Sequence, residues 1–274
     1  MWQKNSVIFD EEDEDNLFRA FRDTYTNKVL TVELDEKQTK DLIEQCKKNG
    51  VTVNSALNTA FLAAHASVQG PFKGGKQNIM VPVNTRNKYK KPVGDNIGVY
   101  VSGFQFKLSY NPKKEFWENA QLFDQGVKDN LDINQVFKFA VLQELINPAI
   151  VDARNFGFFG KDVPSDYSRY EKIHNFSIDE KNVVNRRAKK QIPKMPGLAI
   201  TNLGQLEYPT KYGSLEVDRF IFITSGTPFI ELVIPVVTIA GKLTFTTNYL
   251  EETTDTPTMQ NIKNKVLEYL GLAN

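Results

Sequence analysis

Two histidines, His65 and His174, and one cysteine, Cys46, are the chain's whole stock of the side chains that most often act as bases, nucleophiles or soft metal ligands near neutral pH. A mechanism built on imidazole therefore has two candidates. The segment Ala64-His65-Ala66 suits a packed or partly exposed helix residue, and Glu171-Lys172-Ile173-His174 suits a surface one. Neither histidine has a second His or Cys at ligand spacing, so no metal site is expected. There is no Gly-x-Ser-x-Gly turn to expose a nucleophilic serine, no Gly-x-Gly-x-x-Gly, and no phosphate loop ending in Gly-Lys-Ser/Thr. The run from Pro71 to Lys76 is rich in Gly and Lys, but it follows a helix pattern and precedes a strand pattern, the reverse of a phosphate cradle. Arg186, Arg187, Lys189, Lys190 and Lys194 could meet a phosphate or an acidic partner, or simply form a solvated face.

Composition narrows the classes further. Across 274 residues, 34 Lys and Arg balance 33 Asp and Glu for a net charge of +1, which argues against a nucleic-acid partner. Hydrophobic residues at 41% and charged residues at 24% are globular values. No run reaches the roughly 18 apolar residues of a membrane span, and residues 1–10 do not form a signal peptide. One cysteine makes no internal disulfide, so a cytoplasmic protein is expected.

Alternation and helical spacing set out the elements that must position any site. Residues 1–27 carry the acidic run Asp10 to Asp15, whose mutual repulsion favours an exposed linker or a helix start. Lys28 to Leu34 alternates as a strand. Asp35 and Gln38 form a capping box for a helix bearing Leu42, Ile43 and Cys46, with Gly50 after its end. Thr52 caps a second helix whose stripe is Val53, Ala56, Leu57, Ala60, Phe61 and Ala64. Gln77 to Asn84 reads as a strand that Pro82 assigns to an edge or bulge. Asp95 to Lys107 reads as another. Asn111-Pro112 is expected to open long helices that Pro148 ends or kinks. Ile150 to Asn175 is aromatic without a clear period, and Asp179 to Lys190 reads as a short basic helix. Strands follow at Leu198 to Leu203, Leu215 to Thr224, Phe229 to Ile239 and Lys242 to Tyr249, with an Ala240-Gly241 hairpin and a final helix from Thr256. The order implies an α/β fold, a mixed open sheet with helices packed on it.

Three segments in this order carry a resemblance. The first is Gly50 to Leu57 (GVTVNSAL), followed by Ala60 to Ala64. The second is Met80 to Arg86 (MVPVNTR), followed by Val93 to Ser102 (VGDNIGVYVS). The third is Ile200 to Leu206 (ITNLGQL), followed by Tyr212 to Val217. Together they resemble the C-terminal half of condensation-domain-like, coenzyme-A-dependent acyltransferases of the chloramphenicol-acetyltransferase-like superfamily, with alcohol acetyltransferases as the nearest branch. The resemblance covers roughly residues 28 to 271, and 1–27 is expected as an acidic N-terminal linker before a C-terminal acyltransferase-like lobe at 28–274. It implies acyl-CoA as substrate, with no covalently bound cofactor, and an alcohol or amine as acceptor.

The family's His-His-x-x-x-Asp-Gly motif is absent, and the family is about twice this length. The chain is therefore expected to be one half, trimmed or a natural remnant, and inactive alone. Its partner would be the missing N-terminal lobe or a second copy. By the same resemblance Thr201 and Asn202 would line the substrate tunnel and steady an oxyanion, or merely end a ladder. Arg86, without its usual aspartate, would be solvated or paired with Asp95. Two alternatives remain at this point: a non-catalytic interaction module, and an unrelated enzyme using His65 or His174 as base.

Overall fold

The computed structural model describes residues 7–273, excluding the side chains of Phe139 and Gln143. Its elements are α1 (Glu11–Thr24), β1 (Asn27–Glu33), α2 (Glu36–Lys48), α3 (Val53–Val68), β2 (Asn78–Asn84), β3 (Val101–Lys107), α4 (Phe116–Asn130), α5 (Ile133–Glu144), α6 (Pro148–Phe159), α7 (Tyr170–Ile178), α8 (Val183–Gln191), β4 (Leu198–Gln205), β5 (Lys211–Tyr212), β6 (Leu215–Glu216), β7 (Leu232–Ile239), β8 (Lys242–Leu250) and α9 (Thr256–Tyr269). They fall into two compact units, Met1–Thr26 with Ala140–Met195, and Asn27–Phe139 with Pro196–Asn274.

The larger unit is built on a six-stranded mixed sheet ordered β1-β8-β7-β4-β2-β3. The α/β architecture expected from the interleaved patterns is what forms. Helix α3 is the centre of its core. Thr52 caps it, accepting from the Ser55 amide at 3.0 Å, and every residue from Ser55 to His65 is buried. Small residues Ala56, Ala60 and Ala64 let α3 lie close to the sheet, where Phe61 meets Phe245 of β8 edge-to-face at 5.8 Å. Asp124 of α4 clasps the start of α3, accepting from the Ser55 hydroxyl at 2.7 Å and the Thr52 amide at 3.2 Å. These bonds and Lys128 hold its carboxyl below the usual range despite desolvation, the largest opposing influence. The Asp35–Gln38 capping box of α2 forms in both directions, and Gly50 takes φ +68°. Ala240 and Gly241, at φ 49° and 75°, make the β7–β8 hairpin.

Pro82 lies inside the sheet, opposite Gly103 of β3. It is tolerated because β2 pairs with β4 only at Ile79–Leu198 and Met80–Ala199, so the strand has no second neighbour where the proline falls. Gly103 is required there, since a Cβ would stand 2.6 Å from the Val81 carbonyl oxygen.

Several expected bounds move. Helix α4 begins at Phe116 rather than at Pro112, because Glu115 and Glu118 form the reciprocal cap while Asn119 binds the Asn111 backbone on both sides. The strand expected from Asp95 starts only at Val101, and the strand expected over Leu215 to Thr224 shrinks to β6, because neither 95–100 nor 217–224 finds a ladder partner.

The smaller unit packs α1, α6, α7 and α8 around Leu17, Ala20, Ala153, Phe156, Ile173 and Phe176. The acidic segment, expected as an exposed linker or helix start, is the first turn of α1, where carboxylates favour the helix N-terminus. Asp13 is fully buried rather than solvated. It caps with Asp10, forms an ion pair with Lys172, and lies 3.8 Å from Arg169 Nε. Opposite charge thus replaces the solvent that the run of carboxylates predicted. The aromatic stretch without a period becomes α6 and α7, with Asn147 capping and Pro148 in the first turn of α6.

Candidate functional site

Parallel strands β2, β4 and β7 end on one side of the larger unit's sheet. In open α/β sheets that end, where neighbouring strands part, is the usual place for a ligand. Here β2 and β4 separate beyond Met80 and Ala199, leaving Asn84 to Arg86 on one arm and Thr201 and Asn202 on the other.

Thr201 and Asn202 do not act together. Each pairs in regular parallel register, opposite Pro235 and Val236 of β7, and the irregularity in β4 comes only after Asn202. Consecutive strand residues face opposite sides of a sheet. Thr201 therefore lies on the face opposite the core residue Ile200, half-buried. Asn202 is exposed, and its Oδ1 accepts from the Gly204 amide at 2.8 Å. Its amide keeps both N–H donors and one Oδ1 lone pair for a ligand.

Arg86 does not pair with the Asp95 carboxylate. Its Nη1 donates to the carbonyls on either side of that residue, Gly94 at 2.6 Å and Asn96 at 3.3 Å, and its guanidinium lies 4.3 Å from the Tyr100 ring centroid. Tyr89 packs between Tyr100 and Phe137. Arg86 is thus the fastener of its own loop, through a cation–π and backbone contact, where a solvated cation or an ion pair with Asp95 was expected.

His65 lies at the other end of the strands. It is 4% exposed, stacks on Phe72 at 3.8 Å, and its Nε2 donates to Glu231 Oε1 at 2.7 Å. Lys76 donates to the Phe229 carbonyl at 2.5 Å, and its own carbonyl accepts from Gly197. Gly197 immediately precedes β4, so four residues, or about 13 Å of strand, separate Leu198 from Asn202. This geometry removes His65 as a base for chemistry at Thr201. His174 belongs to the smaller unit, half-buried and stacked on Tyr170 at 4.8 Å. Neither histidine lines a described cavity. The largest of those cavities, about 710 Å³ between α2 and the end of α9, is lined by Asp41, Trp117 and Tyr269 among others.

Glu231 escaped sequence reasoning, because it falls within a run expected as strand and 166 residues separate it from His65. Burial would raise its carboxyl, but the hydrogen bond and charge of His65, with Lys76 nearby, bring it below the ordinary 4.5. A depressed carboxyl contributes stability that is present above its unfolded value and lost as pH falls through the folded one. As pH is lowered from about 6 to about 3, the melting temperature of the wild type is expected to fall more steeply than that of Glu231→Gln. Parallel slopes in circular-dichroism melts would count against a stabilising role.

Among the described residues, no group of three His, Cys, Asp or Glu is placed to hold a metal ion. No described helix is long and apolar enough to cross a membrane. On α8, Lys189 pairs with Glu180 at 2.7 Å while Arg186, Arg187 and Lys190 are exposed.

Residues 25–142 match the family described as phthiocerol/phthiodiolone dimycocerosyl transferase C-terminus. No curated protein sequence matches the chain. Among solved structures, the epimerization domain from the third module of tyrocidine synthetase B is similar at 14% identity and a TM-score of 0.55, over 90% of this chain and 47% of that one. The TRI3 trichothecene 15-O-acetyltransferase from Fusarium sporotrichioides is similar at 15% identity and a TM-score of 0.53, over 97% and 55%. The EpoB cyclization-docking bidomain from Sorangium cellulosum is similar at 11% and 0.54, over 95% and 48%. The chain spans about half the length of each of these three. Its fold is that of a C-terminal condensation-domain-like acyltransferase lobe.

Proposed function

We propose that this lobe works with a second one to move an acyl group from a CoA-type thioester to an alcohol or amine, in the cytoplasm. The observation that carries the reading is the match of residues 25–142 to a transferase C-terminus. The position of the histidines agrees with it. His65 lies away from the Thr201 end of the strands, which supports a general base supplied from outside the chain. The second lobe would bring that base on a His-His-x-x-x-Asp-Gly loop, with acyl-CoA bound between the lobes as substrate. Thr201 would line the tunnel with its hydroxyl toward the developing oxyanion, and Asn202 would serve the turn after β4. The Arg86 and Asp95 loop would stand at the rim. Alcohol acetylation is the branch to test first, because the three segments resemble it best.

Incubated alone with radiolabelled acetyl-CoA and a panel of short alcohols, the chain is expected to give no transfer above background. Adding the His-His-x-x-x-Asp-Gly lobe from the same source should restore it. Turnover by the chain alone that survives His65→Ala and His174→Ala together would overturn the reading. If the two lobes bind each other but no acyl-CoA is consumed, the non-catalytic interaction module becomes the better description.

A further inference from the structure

The loop after β2 is fastened from within while its tip stays bare. Residues 85–100 carry Arg86, Lys88, Lys90 and Lys91 against a single acid, Asp95. Arg86 is engaged inside the loop, by the Gly94 and Asn96 carbonyls and the Tyr100 ring. Backbone bonds close it further. The Lys88 N–H donates to the Thr85 carbonyl at 2.8 Å, and the Thr85 N–H donates to the Tyr100 carbonyl at 2.8 Å. Gly94 takes φ +52°, a conformation that costs glycine nothing in sterics and turns the chain back toward Arg86.

Two kinds of side chain are left pointing into water. Lys88, Lys90 and Lys91 are exposed, and among the described residues none of the three is in an ion pair. Ile97 is wholly exposed and Val99 is 84% exposed. One exposed aliphatic is ordinary on a protein surface. Two at nearly full exposure, on an ordered loop that also carries three unpaired lysines, match a membrane surface: aliphatics suit the acyl boundary and cations suit anionic headgroups. A protein partner fits less well. Lysine is depleted in protein–protein interfaces, whereas a headgroup layer is wet and negatively charged. Nucleic acid would use the lysines and leave Ile97 and Val99 in water. Because the loop is already ordered, docking takes little further freedom from it.

We propose that the 88–99 loop is a peripheral docking site for anionic phospholipid, with Ile97 and Val99 entering the boundary between headgroups and acyl chains and Lys88, Lys90 and Lys91 lying against the phosphates. The loop follows Asn84 to Arg86, one arm of the opening between β2 and β4. Docking therefore brings that end of the strands to the lipid surface. The docking stands on the loop alone. That an acyl acceptor dissolved in the bilayer then reaches the Thr201 end is a further step, and that step rests on the acyl-transfer reading above.

The test is co-sedimentation of the full chain with vesicles of phosphatidylcholine alone and of phosphatidylcholine with about one-third phosphatidylglycerol. Binding to the anionic vesicles should exceed binding to the neutral ones by roughly 10-fold or more. Lys88→Gln/Lys90→Gln/Lys91→Gln should weaken it by about 100-fold, about five-fold for each lysine. Ile97→Ser/Val99→Ser should weaken it by roughly 10-fold. All five side chains are exposed, so both variants should melt with the wild type, which separates lost docking from lost folding. Arg186→Gln/Arg187→Gln/Lys190→Gln removes the same charge from α8 and should leave binding within about two-fold of the wild type. With Ile97→Trp, fluorescence should shift to the blue on adding anionic vesicles, beyond any change in the wild type. A loss from the α8 variant as large as from the loop variant would mean diffuse attraction and overturn the proposal. So would vesicle binding that leaves the Ile97→Trp emission unshifted. A blue shift on adding the His-His-x-x-x-Asp-Gly lobe without vesicles would make that lobe the occupant and overturn the assignment. No binding to either vesicle overturns the docking and leaves the acyl-transfer reading standing.

Discussion

If the proposed two-lobed enzyme is assembled, Thr201→Val is expected to lower kcat by about 100-fold or more, the usual effect of losing one donor to a developing oxyanion. Valine keeps the shape of threonine and its place in β4, opposite Pro235. The change therefore removes a hydroxyl and little else, and the melting temperature of the lobe should barely move. KM for acyl-CoA should also hold, since the bond is needed most where charge develops on the oxygen. Thr201→Ser keeps the hydroxyl and should retain most of the rate. Asn202→Ala is the internal control. Its side chain lies on the other face of the sheet with Oδ1 committed to Gly204, so it should leave kcat near the wild type. Steady-state kinetics on the four proteins decide the matter. Equal losses at the two positions would mean that strand integrity, rather than a hydroxyl at Thr201, sets the rate.

Phe61→Ala should have the largest effect on stability, about 3–5 kcal/mol, the range for removing a buried aromatic ring. Phe61 is fully buried on α3, and its ring meets Phe245 across the gap between helix and sheet. Its neighbours on that helix face, Ala56, Ala60 and Ala64, already let the helix approach closely and have no side chain to swing into the space. The cavity therefore stays open, and the cost includes lost contacts as well as transfer. Phe61→Leu, which keeps much of the volume, should cost well under half as much. Urea unfolding followed by fluorescence would show the midpoint fall in that order. A loss below about 1 kcal/mol for the alanine variant would mean that the core closes over the space.

The elements near this core were legible because each rests on local chemistry. Asp35 with Gln38, Thr52, Gly50 and the Ala240-Gly241 turn depend on neighbours within a few residues, and all adopt the expected geometry. Pro82 was legible in kind, as a break in pairing, but its cause lay elsewhere. It is β4 that departs, and residues 198–205 are far from it in the chain. The acidic start of α1 was legible as a helix start, but the burial of Asp13 was not, for a related reason. Six adjacent carboxylates predict solvation until Lys172 and Arg169, some 155–160 residues away, supply opposite charge to Asp13.

The site shows the same division. The resemblance, with the three ordered segments that carry it, could be read directly, and so could the want of a histidine pair. That Thr201 and Asn202 face opposite sides follows from strand periodicity once their strand is regular, and the pairing with β7 decides that regularity. That Arg86 holds carbonyls and Tyr100 instead of Asp95, that His65 is locked to Glu231 at the far end of the strands, and that 217–224 finds no ladder were decided by tertiary structure alone. A side chain's type and local period set what it can do. Which groups it meets depends on long-range pairing, and the free energy of a hydrogen bond, an ion pair or a ladder exists only when both partners are in place.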